Sequence, residues 1–88
     1  MSGWVYILES LRNGRYYVGC SENPKRRLKY FHNLGKVKST KYMSPWRLVF
    51  VKRFVNMTEA RKGEYKLKRL KSRKTIENLI DGERGFPV

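Results

Sequence analysis

The chain has 88 residues, 40% of them hydrophobic, and its 21 Lys and Arg outweigh seven Asp and Glu to give a net charge of +14. This length predicts one small domain over residues 1–88 with a modest core, and the composition argues against wholesale disorder. The single cysteine excludes an internal disulfide and a multi-cysteine zinc site. No apolar run approaches the roughly 20 residues that span a membrane, and the N-terminus lacks a signal pattern, so we expect a cytoplasmic protein with no membrane partner.

The positive charge is concentrated rather than spread evenly. Residues 23–58 contain no Asp or Glu but ten Lys and Arg, and residues 58–74 add eight more cations against two acids. Such a density predicts a polyanionic partner. We expect this partner to be nucleic acid rather than an anionic membrane, because the sequence lacks a lipidation motif and a strong amphipathic membrane helix.

The chain begins with a predicted β-hairpin. Residues 4–8 (W-V-Y-I-L) and 16–20 (Y-Y-V-G-C) are rich in β-branched and aromatic side chains, as strands are. Asn13 and Gly14 between them both tolerate the positive φ of a tight hairpin turn.

The turn length decides which residues of the hairpin face each other. A two-residue turn would pair Ser10 with Tyr17, whereas a four-residue loop would pair Leu8 with Tyr17. Both registers place Tyr6 and Tyr17 on one face, because side chains alternate along a strand. The longer loop would bring the two phenols within about 7 Å along the sheet, with a gap over Gly19 between them.

A basic helix is predicted after the hairpin. Asn23 can cap a helix, Pro24 suits the first helical position, and the helix should run to about His32. Leu28 and Phe31 are three residues apart and would face the core.

Several cations of this region are candidates for nucleic-acid contacts. Arg27 lies beside the apolar stripe, where it is either a partly buried cation near the sheet or an ordinary surface arginine. The other candidates are exposed cations on the helix, in the basic loop after it and on a later helix: Lys25, Arg26, Lys36, Lys38, Lys41 and Lys68.

The remaining elements are one strand and two helices. Residues 46–55 (W-R-L-V-F-V-K-R-F-V) read as a strand that is apolar on both faces at its centre, so we expect it in the middle of the sheet or covered twice, with Trp46 in the core. A helix over residues 58–70 follows, and a short helix over residues 74–81 closes the fold. The predicted class is therefore α/β, a three-stranded antiparallel sheet flanked by helices in the order ββαβαα.

Glu64 is the one acid that the helical pattern turns inward. Ala60, Gly63 and Leu67 form the inner stripe of the helix, and Glu64 lies four residues after the first and three before the last. A buried carboxylate is costly unless a cation or a metal meets it. The alternative is an ordinary helical ion pair between Glu64 and Lys68.

These segments together resemble the GIY-YIG endonuclease superfamily, in particular its small single-domain bacterial members. The similar segments cover roughly residues 4 to 80: V-Y-I at 5–7, Y-V-G at 17–19, N-P-K-R-R-L at 23–28, H-N-x-G-K-V-K-S-T-K at 32–41, P-W-x-L-V at 45–49 and E-A-R-K-G-E-Y-K-L-K at 59–68.

The resemblance implies a catalytic set and a structural glycine. The family's functional residues correspond to Tyr6, Tyr17, Gly19, Arg27 and Glu64, with Glu64 as the metal ligand. The family histidine usually follows the arginine by four residues, whereas His32 follows by five, so either the helix ends in a local bulge or His32 is not equivalent.

The implied activity is divalent-metal-dependent hydrolysis of DNA, selective for structure rather than sequence and of a kind used in DNA repair or recombination. Because the sequence lacks the acid clusters of two-metal nucleases, we expect one Mg²⁺ or Mn²⁺ at Glu64. Tyr6 is the preferred base with Tyr17 as its partner, although the roles could be exchanged. Arg27 is expected to lower the phenol pKa. A partner protein would supply sequence specificity. The rival hypothesis is a non-catalytic nucleic-acid-binding module on the same scaffold.

Overall fold

The computed structural model describes residues 2–34, 41–70 and 72–82. Its elements follow the predicted order: β1 (Gly3–Ser10), β2 (Tyr16–Ser21), α1 (Pro24–Arg27) continued by a π-helical turn (Leu28–His32), β3 (Trp46–Phe54), α2 (Met57–Leu70) and α3 (Arg73–Ile80). A short 3₁₀ turn (Lys41–Met43) precedes β3. The predicted fold class, an antiparallel three-stranded sheet flanked by helices, is confirmed.

The hairpin between β1 and β2 has the longer of the two predicted loops. Leu8 pairs with Tyr17, and the Ser10 amide donates to the Arg15 carbonyl oxygen at 2.8 Å, which leaves four residues in the turn. Gly14 takes a φ of 74°, a conformation that glycine adopts without steric cost. The hairpin therefore has the register that brings Tyr6 and Tyr17 closest together.

The position of β3 in the sheet differs from the prediction. The strand order is β2-β1-β3, so β1 lies in the centre and β3 at an edge. The four central residues of β1, 5–8, are at most 1% exposed, whereas Val51 of β3 is 42% exposed and Lys52 and Arg53 are exposed. Apolar composition alone misled the prediction, because β1 takes the central place with a shorter apolar run.

Two hydrophobic clusters lie on opposite faces of the sheet. One holds Val5, Ile7, Val18, Ala60, Leu67 and Leu79, and therefore lies between the sheet and the helices α2 and α3. The other holds Tyr6, Leu8 and Trp46, with Tyr17, Leu28, Met43 and Leu48 packed against it. The predicted inner stripe of α2 is confirmed, because Ala60, Gly63 and Leu67 are its buried residues.

The last helix, α3, contributes to the hydrophobic cluster that contains Val5 and Ile7. The Ser72 side chain accepts a hydrogen bond from the Thr75 amide at 3.2 Å, which satisfies a donor at the start of α3. Leu79 is its buried residue. In the described part of the chain, no helix has the length and apolar character needed to cross a bilayer.

Candidate active site

Tyr6 and Gly19 face each other directly across the hairpin. A Cβ atom at position 19 would lie 2.6 Å from Tyr6 Oη and 2.7 Å from Tyr6 Cζ, so only glycine leaves room for the phenol. The space over Gly19 is thus filled by the Tyr6 ring, which corrects the expectation of an open gap there. The ring centroids of Tyr6 and Tyr17 are 6.4 Å apart, close to the predicted separation.

His32 lies against both tyrosines. A hydrogen bond of 2.8 Å joins Tyr6 Oη and His32 Nε2, and the Tyr17 and His32 ring centroids are 5.0 Å apart. His32 is fully buried and Tyr6 is 1% exposed, whereas Tyr17 is half-buried. The three rings therefore form one contiguous group that grades from the interior to the surface.

A π-helical turn explains how His32 reaches this position. Residues 28–32 are π-helical, and the Asn33 amide donates to the Leu28 carbonyl oxygen, five residues back, at 2.9 Å. Such a turn holds one more residue than an α-helical turn. The helix therefore ends in a local bulge, and this turn brings His32, five residues after Arg27, against the tyrosines.

Asn33 fixes the end of this turn to the sheet, a contact that the sequence interpretation missed. Its Oδ1 accepts from the Trp46 amide at 2.6 Å, and its Nδ2 donates to the Trp46 carbonyl oxygen at 3.2 Å. The side chain thus replaces a strand partner for the first residue of β3 and holds His32 beneath the sheet. The only available signal was an asparagine directly after the histidine.

The electrostatics of the Tyr6–His32 pair correct one expectation. Burial and the neighbouring Tyr17 raise the pKa of Tyr6, and the hydrogen-bonded Arg27 guanidinium opposes this rise without reversing it. Arg27 therefore does not make Tyr6 a phenolate at neutral pH, because desolvation of the phenol outweighs its charge. Burial and Arg27 lower the pKa of His32 to about 4, so its imidazole is neutral and can accept a proton.

This low pKa of His32 predicts acid lability. The unfolded chain protonates its histidine near pH 6.5 and the folded chain only near pH 4, so the unfolded state gains protons first as the pH falls. The free energy of unfolding should drop between pH 6.5 and 4 by about 3 kcal/mol. Urea unfolding of wild type and His32→Gln across this range tests it. His32 is the chain's only histidine, so equal pH dependence in both proteins would contradict the prediction.

Glu64 lies on α2, at one end of the site. Its side chain is 18% exposed and its Oε2 lies 2.6 Å from Lys68 Nζ, so the predicted helical ion pair is formed. The same Lys68 Nζ is 5.8 Å from the centroid of the Tyr17 ring, which links α2 to the tyrosines. Burial, followed by a hydrogen bond to Glu64, raises the pKa of the Cys20 thiol to about 11. The contacts of Glu64 with Cys20 and of Lys68 with Tyr17 were not predicted from the sequence.

The donor set at Glu64 fits a hard divalent cation rather than a soft one. Its carboxylate is reachable from solvent, and one carboxylate with water ligands is a common arrangement for Mg²⁺. Within residues 2–34, 41–70 and 72–82, no three His, Cys, Asp or Glu side chains are grouped to hold a metal. A cation at Glu64 would therefore take its other ligands from water and substrate, and would compete with the Lys68 ammonium group.

The predicted nucleic-acid contacts are only partly placed. Lys25 and Arg26 are exposed on α1, as expected, and Lys68 is exposed as well, with its Nζ 2.6 Å from Glu64 Oε2. Lys36, Lys38 and the side chain of Lys41 lie outside the described residues.

Comparison with known proteins gives one family. The model of the GIY-YIG catalytic domain matches residues 2–77. A UPF0213 protein of Oceanobacillus iheyensis is 38% identical over 68 residues, covering 76% of this chain and 77% of that protein. Another, of Halalkalibacterium halodurans, is 40% identical over 81 residues, covering 91% and 83%. The solution NMR structure of a UPF0213 protein from Bacillus halodurans aligns with a TM-score of 0.58 at 35% identity, over 97% of this chain and 88% of that one.

Proposed function

Since the chain belongs to the GIY-YIG catalytic domain family, a family of nucleases, we propose that it is an endonuclease that hydrolyses DNA phosphodiester bonds with the help of one divalent cation. The observation that supports this best is the buried hydrogen bond between Tyr6 Oη and His32 Nε2. It connects a phenol, which in the proposed reaction would face the attacking water, to a neutral imidazole, which would accept the proton that the phenol releases.

The proton transfer takes place in two coupled movements. Tyr6 Oη accepts a proton from the attacking water, and the phenol's own proton moves to His32 Nε2, so the phenol never carries a full charge. In this scheme the His32 proton of the neutral ring resides on Nδ1. The raised pKa of Tyr6 does not prevent the reaction, because the relay requires no phenolate in the resting protein.

Arg27 would contact both the proton relay and the phosphate. Its guanidinium is hydrogen-bonded to Tyr6 and lowers the pKa of His32 in the resting protein. As negative charge develops on the phosphoryl oxygens, the guanidinium would stabilise it through its planar fork. The same negative charge offsets the field of Arg27 at His32, so the imidazole becomes a better proton acceptor when the transition state forms.

Glu64 would hold the cation, Mg²⁺ or Mn²⁺, on the opposite side of the scissile phosphate. When bound there, the cation would stabilise the charge that develops on the leaving oxygen. Lys68 now neutralises the Glu64 carboxylate at 2.6 Å. Once a cation takes its place, the Lys68 ammonium group is free to contact a phosphate beside Tyr17.

The substrate preference follows from the kind of side chains around the site. The exposed cations Lys25 and Arg26 on α1 would bind phosphates, which positions the protein without reading base sequence. We therefore place the enzyme among structure-selective nucleases of DNA repair or recombination, with sequence specificity supplied by a partner protein.

The direct test is a cleavage assay on matched substrates. Wild type is expected to cut flap or branched DNA faster than linear duplex in Mg²⁺ or Mn²⁺, and to cut neither in EDTA. Tyr6→Phe protein purified in parallel controls for contaminating nuclease. Tight DNA binding without cleavage in either metal would contradict the proposal and favour the non-catalytic binding module.

A further inference from the structure

A cavity of about 490 Å³ lies on the same sheet face as Tyr6. It is lined by Trp4, Glu22, Asn23, Pro24, Lys25, Leu48 and Val51. Trp4 precedes Tyr6 by two residues on β1, so the two side chains share a face about 7 Å apart along the strand. The volume falls within the roughly 300–1,000 Å³ typical of small-ligand sites.

The walls of this cavity combine an apolar floor with a polar rim. Trp4, Leu48 and Val51 come from β1 and β3, and Val51 is 42% exposed although it is a strand residue. Glu22, which is exposed, brings a carboxylate to the rim. The side-chain Oδ1 of Asn23 accepts from the backbone amide of Arg26 at 3.1 Å, so the Nδ2 group of the same side chain can act as a donor at the rim. An indole beside hydrogen-bonding groups of both kinds suits a flat heterocycle.

The cavity is continuous with the candidate active site. Glu22 and Asn23 also line a smaller cleft of about 220 Å³ whose other walls are Ser21, Arg26 and Arg27. A DNA strand with its phosphate beside Arg27 would therefore pass close to the mouth of the larger cavity.

The charges around the cavity are those that a nucleotide needs. Lys25 lines the cavity, and Arg53 pairs with Trp4 in the β1–β3 register and so shares the face of the sheet on which Trp4 lies. Both are exposed. Cations that flank an aromatic floor are typical of sites where a base stacks and its phosphates are held at the rim.

We propose that this cavity binds an unpaired nucleobase of the DNA strand being cut, stacked on Trp4. The proposal rests on the proposed function and names the substrate feature that the enzyme would select, a base free to leave the duplex. Glu22 would accept a hydrogen bond from a ring or exocyclic N–H, as carboxylates do with the cytosine amino group. Selection for DNA structure then follows without base-pair reading, because a paired base cannot enter the cavity.

Binding in EDTA isolates this step from cleavage. The probe is a duplex with one unpaired 2-aminopurine, compared with the same duplex fully paired. Wild type should bind the first about tenfold more tightly and quench its fluorescence. Trp4→Leu should abolish both the preference and the quenching while leaving affinity for paired duplex unchanged, and Trp4→Phe should keep most of each. Val51→Gln, at a half-exposed wall position, gives a second test should Trp4→Leu fail to fold.

The matched control is Tyr65→Leu. Tyr65 is an exposed aromatic residue, 64% accessible, with Arg69 5.7 Å from its ring, and it lies on α2 outside the cavity. Its replacement should leave the preference intact. If the Trp4 and Val51 variants keep the preference, or lose affinity for both duplexes equally, the cavity is not a base site. If the protein cleaves branched DNA but its preference for an unpaired base does not depend on Trp4, only this inference is overturned. If the preference depends on Trp4 but no DNA is cleaved, only the nuclease proposal is overturned.

Discussion

Tyr6→Phe is expected to slow single-turnover DNA cleavage about a hundredfold to ten-thousandfold while DNA binding stays unchanged. The substitution removes one oxygen atom, the one that lies 2.8 Å from His32 Nε2. Without it, the attacking water has no route for its proton to the imidazole. Tyr17→Phe should cost less, because Tyr17 contacts the His32 ring but lies outside this hydrogen bond.

Tyr16→Phe is the matched control for this experiment. Tyr16 is the residue directly before Tyr17 on β2 and points to the opposite face, where Arg73 lies 4.7 Å from its ring. The Tyr16→Phe variant also loses one phenol oxygen, and it should cut DNA at nearly the wild-type rate. Thermal unfolding of each variant must accompany the assay, because loss of the buried hydrogen bond in Tyr6→Phe would itself cost about 1–3 kcal/mol.

Two further measurements distinguish a relay from a merely structural pair. If Tyr6 and His32 act as one unit, the double variant Tyr6→Phe/His32→Gln should be no slower than the slower single variant. The rate of wild type should fall at acid pH as His32 protonates, and Arg27→Met should move this fall to higher pH, because Arg27 lowers the pKa of His32. If the rate losses of the two single variants add up in the double variant, and Arg27→Met leaves the acid limb of the pH–rate profile unmoved, the relay is ruled out.

Local patterns were enough to predict the order of the elements and the shared face of the two tyrosines. The turn residues Asn13 and Gly14, together with strand alternation, predicted that Tyr6 and Tyr17 share a face, and the structure has the closer of the two predicted registers. The inner stripe of α2 was equally readable from its spacing. Each of these features depends on residues that are near in sequence or on a simple period.

The features that were not predicted depend on contacts between distant segments. The π-helical turn that accommodates His32 is fixed where Asn33 meets Trp46, 13 residues later, and no helical period contains that information. The edge position of β3 depends on competition between strands for the centre of the sheet. The raised pKa of Tyr6 was missed because its burial follows from tertiary packing around Gly19, whereas the sequence showed only the nearby cation Arg27.

Glu64→Gln is expected to slow cleavage about a thousandfold or more, with DNA binding retained or slightly tighter. The change removes the negative charge that would hold the cation and keeps the size of the side chain. It should cost little stability, because a helical ion pair such as the one with Lys68 contributes only about 0.2–0.5 kcal/mol. Direct titration with Mn²⁺, followed by calorimetry, measures the site without relying on activity.

Glu59→Gln is the matched control for Glu64→Gln. Glu59 lies on the same helix and pairs with Lys62 at 3.3 Å, but its side chain is 47% exposed, and it should affect neither Mn²⁺ binding nor cleavage. Lys68→Met should act in the opposite direction on the metal. It removes the ammonium group that competes for the Glu64 carboxylate, so Mn²⁺ should bind more tightly than to wild type, while affinity for DNA falls with the lost charge.

The two α2 variants together decide what Glu64 does. A metal ligand predicts that Mn²⁺ affinity falls in Glu64→Gln and rises in Lys68→Met, since both changes act on the same carboxylate. If Mn²⁺ binds all three proteins equally and Glu64→Gln still cuts, Glu64 is only the helical partner of Lys68. The catalytic metal ion would then have to be held by other groups. The charge on the leaving oxygen would be stabilised by Lys68, which lies beside Tyr17, and by Arg27.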